Sequence, residues 1–179
     1  VTDPAGWTVS SVVFYAFQTN SGTAASPFTH LNLRIWSGRP GDATSTIVFG
    51  DTTTNRLGPT TWTGAYRAAD TEPGNTTRPI FANEAVVVPA LHLATGTYWL
   101  DWQASSLTWQ ALGIPVTVEG QPGAPNANAR RFEAAVGQWS TLREGGTFAP
   151  QELAFIVRGT VGSGGGSTCY ANCDASTII

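Results

Sequence analysis

Hydrophobic and polar residues alternate along this chain in short runs, separated by Gly, Pro, Asn and Asp. A period of two places successive side chains on opposite faces, so each run predicts a β-strand and each break a turn. His30–Trp36, HLNLRIW, shows this most cleanly: Leu31, Leu33 and Ile35 face one way, and His30, Asn32, Arg34 and Trp36 the other. Thr97–Gln103, TYWLDWQ, repeats it, with Tyr98, Leu100 and Trp102 on one face and Trp99, Asp101 and Gln103 on the other. Trp7–Gln18, WTVSSVVFYAFQ, is apolar on both faces from Val12 to Phe17. That pattern predicts a central strand covered on both sides.

Thr46–Phe49, Thr60–Arg67, Val116–Glu119 and Leu153–Thr160 read as further strands. Pro79–Phe81 and Glu84–Val88 form a strand pair across Ala82-Asn83 or one long strand, with Leu91–Leu93 following. Ala129–Ala134 and Gln138–Leu142 flank Val136-Gly137 as a hairpin, although Arg130–Ala135 carries a hint of helical spacing. Elsewhere no stretch of helical length shows a helical period. Many short strands with regular turn signals predict an all-β fold. The long loops favour a two-sheet jelly-roll-like β-sandwich over a tight barrel. This domain is expected to span 1–161, followed by a Gly/Ser linker over 162–168 and a Cys-containing tail over 169–179.

A chain of 179 residues with 41% hydrophobic content can bury one sizeable core. Charged residues are only 12%, and the nine basic residues are all Arg, scattered except for Arg130-Arg131. With a net charge of −3 and no basic stripe, neither nucleic acid nor an anionic membrane is an expected partner. No apolar run approaches the roughly 18 residues of a membrane span. The absence of Met and of a leader reads as processing, or as a piece of a longer protein.

The chemistry-bearing residues are sparse. His30 and His92 each sit beside apolar strand residues, and neither a nucleophile elbow nor a zinc-protease motif accompanies them. The carboxylates are dispersed, without the paired arrangement that glycoside hydrolysis needs. The expectation is therefore a protein that is not an enzyme. Asp51–Asn55, DTTTN, is either a calcium loop or, preferably, a turn capped by its own hydroxyls. No cofactor is expected beyond possible calcium. Asn75-Thr76-Thr77 satisfies the N-glycosylation rule.

Seven tryptophans are many for this length. Sugar-binding surfaces use aromatic rings because the C–H face of a pyranose stacks on them while nearby amides, carboxylates and guanidiniums bond its hydroxyls. Asn32, Arg34 and Trp36 have that make-up, and so do Trp99, Asp101 and Gln103. If the two strands neighbour each other, the six residues form a platform for polysaccharide. The competing expectation is that these tryptophans pack the core or a loop.

The segments WTVSSVVFYAFQT, LNLRIWSGRPG, FGDTTTNRL, LATGTYWLDWQ and QELAFIVRGT together resemble a family of secreted bacterial β-sandwich modules on large extracellular proteins of planctomycete type. After the spacer, CYANCD resembles the start of a dockerin-like C-terminal repeat, but the chain stops at Ile179 before any helix or second loop. The resemblance implies a secreted, extracellular or cell-surface module without catalysis. It also implies that Asn172 and Asp174 are early calcium ligands, which alone fall short of the six to eight oxygens calcium requires. Cys169 and Cys173 are disulfide candidates for a small local loop, or two free thiols; without further Cys or nearby His they make no zinc site.

The leading functional expectation is a structural or assembly module, a subunit of a filament or scaffold. The β-prone end Thr177-Ile178-Ile179 would then dock on a strand edge of its own body or of the next copy. The alternative is a carbohydrate-binding module that uses exposed tryptophans. A third is a passenger recruited to a larger complex by its tail.

Overall fold

A computed structural model describes residues 1–69, 71–108, 112–115, 128–143 and 148–162, and among them the alternating runs become ten strands. These are β1 (Trp7–Gln18), β2 (Phe28–Ser37), β3 (Thr46–Gly50), β4 (Leu57–Tyr66), β5 (Pro79–Leu93), β6 (Tyr98–Ser106), β7 (Leu112–Gly113), β8 (Arg130–Glu133), β9 (Gln138–Thr141) and β10 (Phe155–Val161). One antiparallel sheet runs β10-β1-β5-β4, with β7 paired to the far end of β1. The second runs β3-β2-β6, and β8-β9 form a separate hairpin. The chain crosses between the two main sheets after β1, β3, β5 and β6, so the fold is the expected all-β, jelly-roll-like sandwich.

The core lies between the sheets. Leu31, Leu33 and Ile35 of β2 are fully buried against Val12 and Phe14 of β1, Ala85 and Val87 of β5, and Val157 of β10. Each large apolar side chain buried here is worth about 1.5–3 kcal/mol. A bulge between Val9 and Ser11 lets Val9 and Val12, three residues apart, both face this core. Val13 points the other way and is still only 3% exposed, which is why β1 is apolar on both faces. It is the central strand, held by β5 on one side and β10 on the other.

Some sequence expectations change. Of the two readings of this region the single long strand is found, Pro79–Leu93, without a turn at Ala82-Asn83; it bulges outward at Val88, Pro89 and Ala90, all exposed. The helical hint at Arg130–Ala135 resolves into β8 and the turn after it. Strand β7 has two residues, too few to leave a sequence pattern. Val116–Glu119 and the segment 163–179 lie outside the described residues. Gly162 is tied to the body, donating its N–H to Gly6 O and accepting from Thr8 Oγ1.

Two edges differ in how they are protected. β4 carries Pro59 and two register shifts, which blunt pairing with another chain. β3, TIVFG, has neither Pro nor charge, and Ile47 and Val48 are exposed. Its last residue, Gly50, has φ +80°, and an added Cβ would stand 1.9 Å from Leu33 O. Only glycine permits that approach of β3 to β2.

Candidate functional site

β2 and β6 pair directly, and the register sets Asn32 opposite Gln103, Arg34 opposite Asp101, and Trp36 opposite Trp99. Cross-strand partners share a face. Because Leu31, Leu33, Ile35, Leu100 and Trp102 pack on the core side, the six polar and aromatic residues gather on the outer face of the sheet. The condition set by the sequence, that the two strands be neighbours, is met.

The pairs are not equivalent. Asp101 Oδ2 accepts from Arg34 Nε at 2.7 Å and from Trp36 Nε1 at 3.1 Å, and Arg34 Nη2 also contacts it. The Arg34 guanidinium lies over the Trp36 ring, 5.1 Å from its centroid. All these donors use Oδ2, so among the described residues Oδ1 remains an open acceptor. Asn32 donates to Thr54 O, which ties the platform to the Asp51 loop. Gln103 is exposed and its side chain holds no hydrogen bond among the described residues. Trp36 is therefore an anchor with one face covered, while Trp99 offers the less encumbered ring.

The β8–β9 hairpin adds a wall that the sequence did not assign. Phe132 and Trp139 face each other in register, with ring centroids 5.4 Å apart. Trp139 meets Trp36 edge-on at 6.5 Å. Arg130 donates to Pro40 O and to Trp139 O, and its guanidinium is 3.9 Å from Asp42, which fixes the hairpin over the β2–β3 loop. A signal was available. Strand alternation puts Arg130, Phe132 and Trp139 on one face, and a two-stranded hairpin cannot bury that face on itself.

Together these residues border a cleft of about 930 Å³. Among the described residues it extends from the outer face around the unpaired edge of β6 toward β10, where Leu100, Trp102 and Phe155 supply apolar surface over the buried Phe14. Phe14 stacks on Trp102 at 4.7 Å, which braces this side of the cleft. Glu152 also lines the cleft, and burial pushes its carboxyl above the ordinary glutamate value. On the hairpin's other face Glu133 is held below that value, first by the Arg131 hydrogen bond and then by that of Ser140.

The remaining candidates fall elsewhere. Asp51 closes a local turn. Oδ1 accepts from the N–H groups of Thr53 and Thr54 and from Thr53 Oγ1, and Oδ2 accepts from Thr54 Oγ1. Arg56 stands 3.7 Å from Oδ2. The carboxylate is held by its own turn and has a neighbouring cation, the arrangement of a capped turn. Among the described residues, no group of three or more His, Cys, Asp or Glu gathers as a metal site. Asp101 bonds neither histidine: His30 contacts Thr29, and His92 lies near Thr8 on the other sheet. Asn75 Oδ1 accepts from Thr77 N and Oγ1 within an exposed loop. Trp62 is exposed beside Tyr66 on β4, away from the cleft. Cys169, Cys173, Asn172, Asp174, Thr177, Ile178 and Ile179 lie outside the described residues.

The site offers ring faces, a preset carboxylate acceptor and the Gln103 amide, a set suited to grasping a polyhydroxylated ligand. No family model, curated protein or solved structure matches this chain at a significant level.

Proposed function

We propose that this chain is a non-catalytic, extracellular carbohydrate-binding module whose binding surface is the outer face of β2–β6 and its hairpin wall. The observation that carries the proposal is the register, which brings Asn32, Arg34, Trp36, Trp99, Asp101 and Gln103 from two distant segments onto one face. Trp99 stacks on a sugar ring, Asp101 Oδ1 accepts from a hydroxyl, and Gln103 and Asn32 complete the hydrogen bonding. Pockets of this kind are mainly apolar, with a few placed polar groups that set orientation. The test is electrophoresis through gels containing neutral polysaccharides. The wild type is retarded in at least one gel, Trp99→Ala and Asp101→Ala lose the retardation, and Trp62→Ala keeps it. Loss on Trp62→Ala alone, or free migration of the folded wild type in every gel, refutes the assignment.

Self-association is a second reading, favoured by the exposed and uncharged edge of β3. It is tested by light scattering on the chain with and without residues 163–179. Assembly that depends on those residues supports a tail-joined filament, and a monomer in both cases removes it.

A further inference from the structure

We infer that the cleft takes an internal stretch of a linear, uncharged polysaccharide rather than a single sugar or a chain end; this rests on the carbohydrate reading above. Three observations lead there. The first is length. The 930 Å³ cleft is lined by β6 from Tyr98 to Gln103 and by Thr97 before it, and a second cavity of about 200 Å³ continues the line to Ala104. The two cavities share the lining residues Trp102, Gln103 and Ile114. Seven strand steps from Thr97 to Ala104 give a groove of roughly 23 Å. That exceeds what one or two sugar rings fill.

The second observation is charge. The larger cavity is lined by Arg34, Arg130 and Arg131 and by Asp51, Asp101 and Glu152, three of each sign. Arg34 is already paired with Asp101, and Arg131 with Glu133. The smaller cavity is lined by no charged residue. A polyanionic glycan would need an excess of cations that this groove lacks, and burying a carboxylate beside Glu152 without a partner is costly. An uncharged chain meets neither obstacle. The third is the distribution of surface. Apolar and aromatic side chains flank the groove on both sides of the β6 edge, Trp99 on the outer side and Trp102 and Ile114 on the inner. Repeated ring-sized apolar contacts suit a repeating ligand.

The experiment is calorimetric titration with cello-, xylo-, manno- and malto-oligosaccharides, each graded from the single sugar to long oligomers. Polygalacturonate and alginate oligomers and an extended neutral peptide are included. The inference expects affinity in at least one neutral series to rise by about tenfold or more from disaccharide to the longest oligomer, with anionic chains weaker. Affinity that is already complete at the mono- or disaccharide, or that favours the anionic chains, overturns the inference and leaves the carbohydrate reading standing. Binding of the peptide with no binding of any glycan, or no binding of any of them by protein with a cooperative thermal transition, overturns both.

Discussion

At Asp101 the donors of Arg34 and Trp36 converge on one carboxylate oxygen and leave the other open. The arrangement holds the acceptor still before a ligand arrives, which reduces the ordering cost of binding. Arg34 has two tasks, bonding Asp101 and covering Trp36, and a lysine performs neither with planar geometry. Arg34→Lys is expected to weaken glycan affinity about tenfold, or ~1.4 kcal/mol, while the melting temperature changes little; unchanged affinity would detach Arg34 from the site. Asp51 gives a pH prediction. The Thr54 and Thr53 N–H groups, then their hydroxyls, hold its carboxyl well below the usual carboxylate range. A depressed folded value means that its contribution is present above the unfolded pKa of about 3.9 and is lost as pH falls toward the folded value. Asp51→Asn should therefore melt lower than the wild type at pH near 7, with the gap closing in strong acid; an equal gap throughout would show that ionisation of Asp51 is irrelevant. At this scale much was legible. The six outer-face residues follow from strand alternation alone, but the sharing of Asp101 by Arg34 and Trp36 depends on a cross-strand register that no local pattern encodes.

Among the elements, β1 and β2 were plainest in the sequence, β2 because its burial alternates and β1 because an unbroken apolar run marks a strand covered on both faces. β5 was ambiguous because polar Asn83 and Glu84 interrupt its apolar run, yet Asn83 is buried and donates to Phe81 O. A buried amide that bonds a carbonyl of its own strand looks like a turn in sequence. The hairpin was visible as a hairpin, but not its docking surface, since Trp139 reaches Trp36 across a hundred residues of chain. The junction of β3 with β2 rests on Gly50. Gly50→Ala combines a left-handed backbone, about 1–2 kcal/mol for a non-glycine residue, with a Cβ placed against Leu33 O. A loss of at least ~2 kcal/mol in denaturant unfolding is expected, and a neutral result would mean that β3 does not sit where described.

For the whole molecule, the division of labour follows from the two sheets. The β10-β1-β5-β4 sheet supplies a support buried through its central strand, and the β3-β2-β6 sheet turns a polar, aromatic face outward. Among the described residues β6 and β10 are both edge strands, and the cleft reaches from one to the other, so the proposed binding surface lies along a margin of the sandwich. Few charges and many tryptophans made ring-based binding an expectation of the sequence. It did not say which tryptophans face solvent, because core and surface use the same residue. Trp62 is exposed and does not line the cleft, while the cleft tryptophans Trp36, Trp99 and Trp139 are half-buried. That contrast supplies an internal control. The most direct measurement follows the tryptophan indole N–H signals by NMR during titration with the tightest-binding neutral oligosaccharide, or with the longest of each neutral series. The account predicts that Trp99, Trp36 and Trp139 shift together and saturably while Trp7 and Trp62 stay fixed. Shifts confined to Trp62 or Trp7, or no shift in any indole, would contradict it.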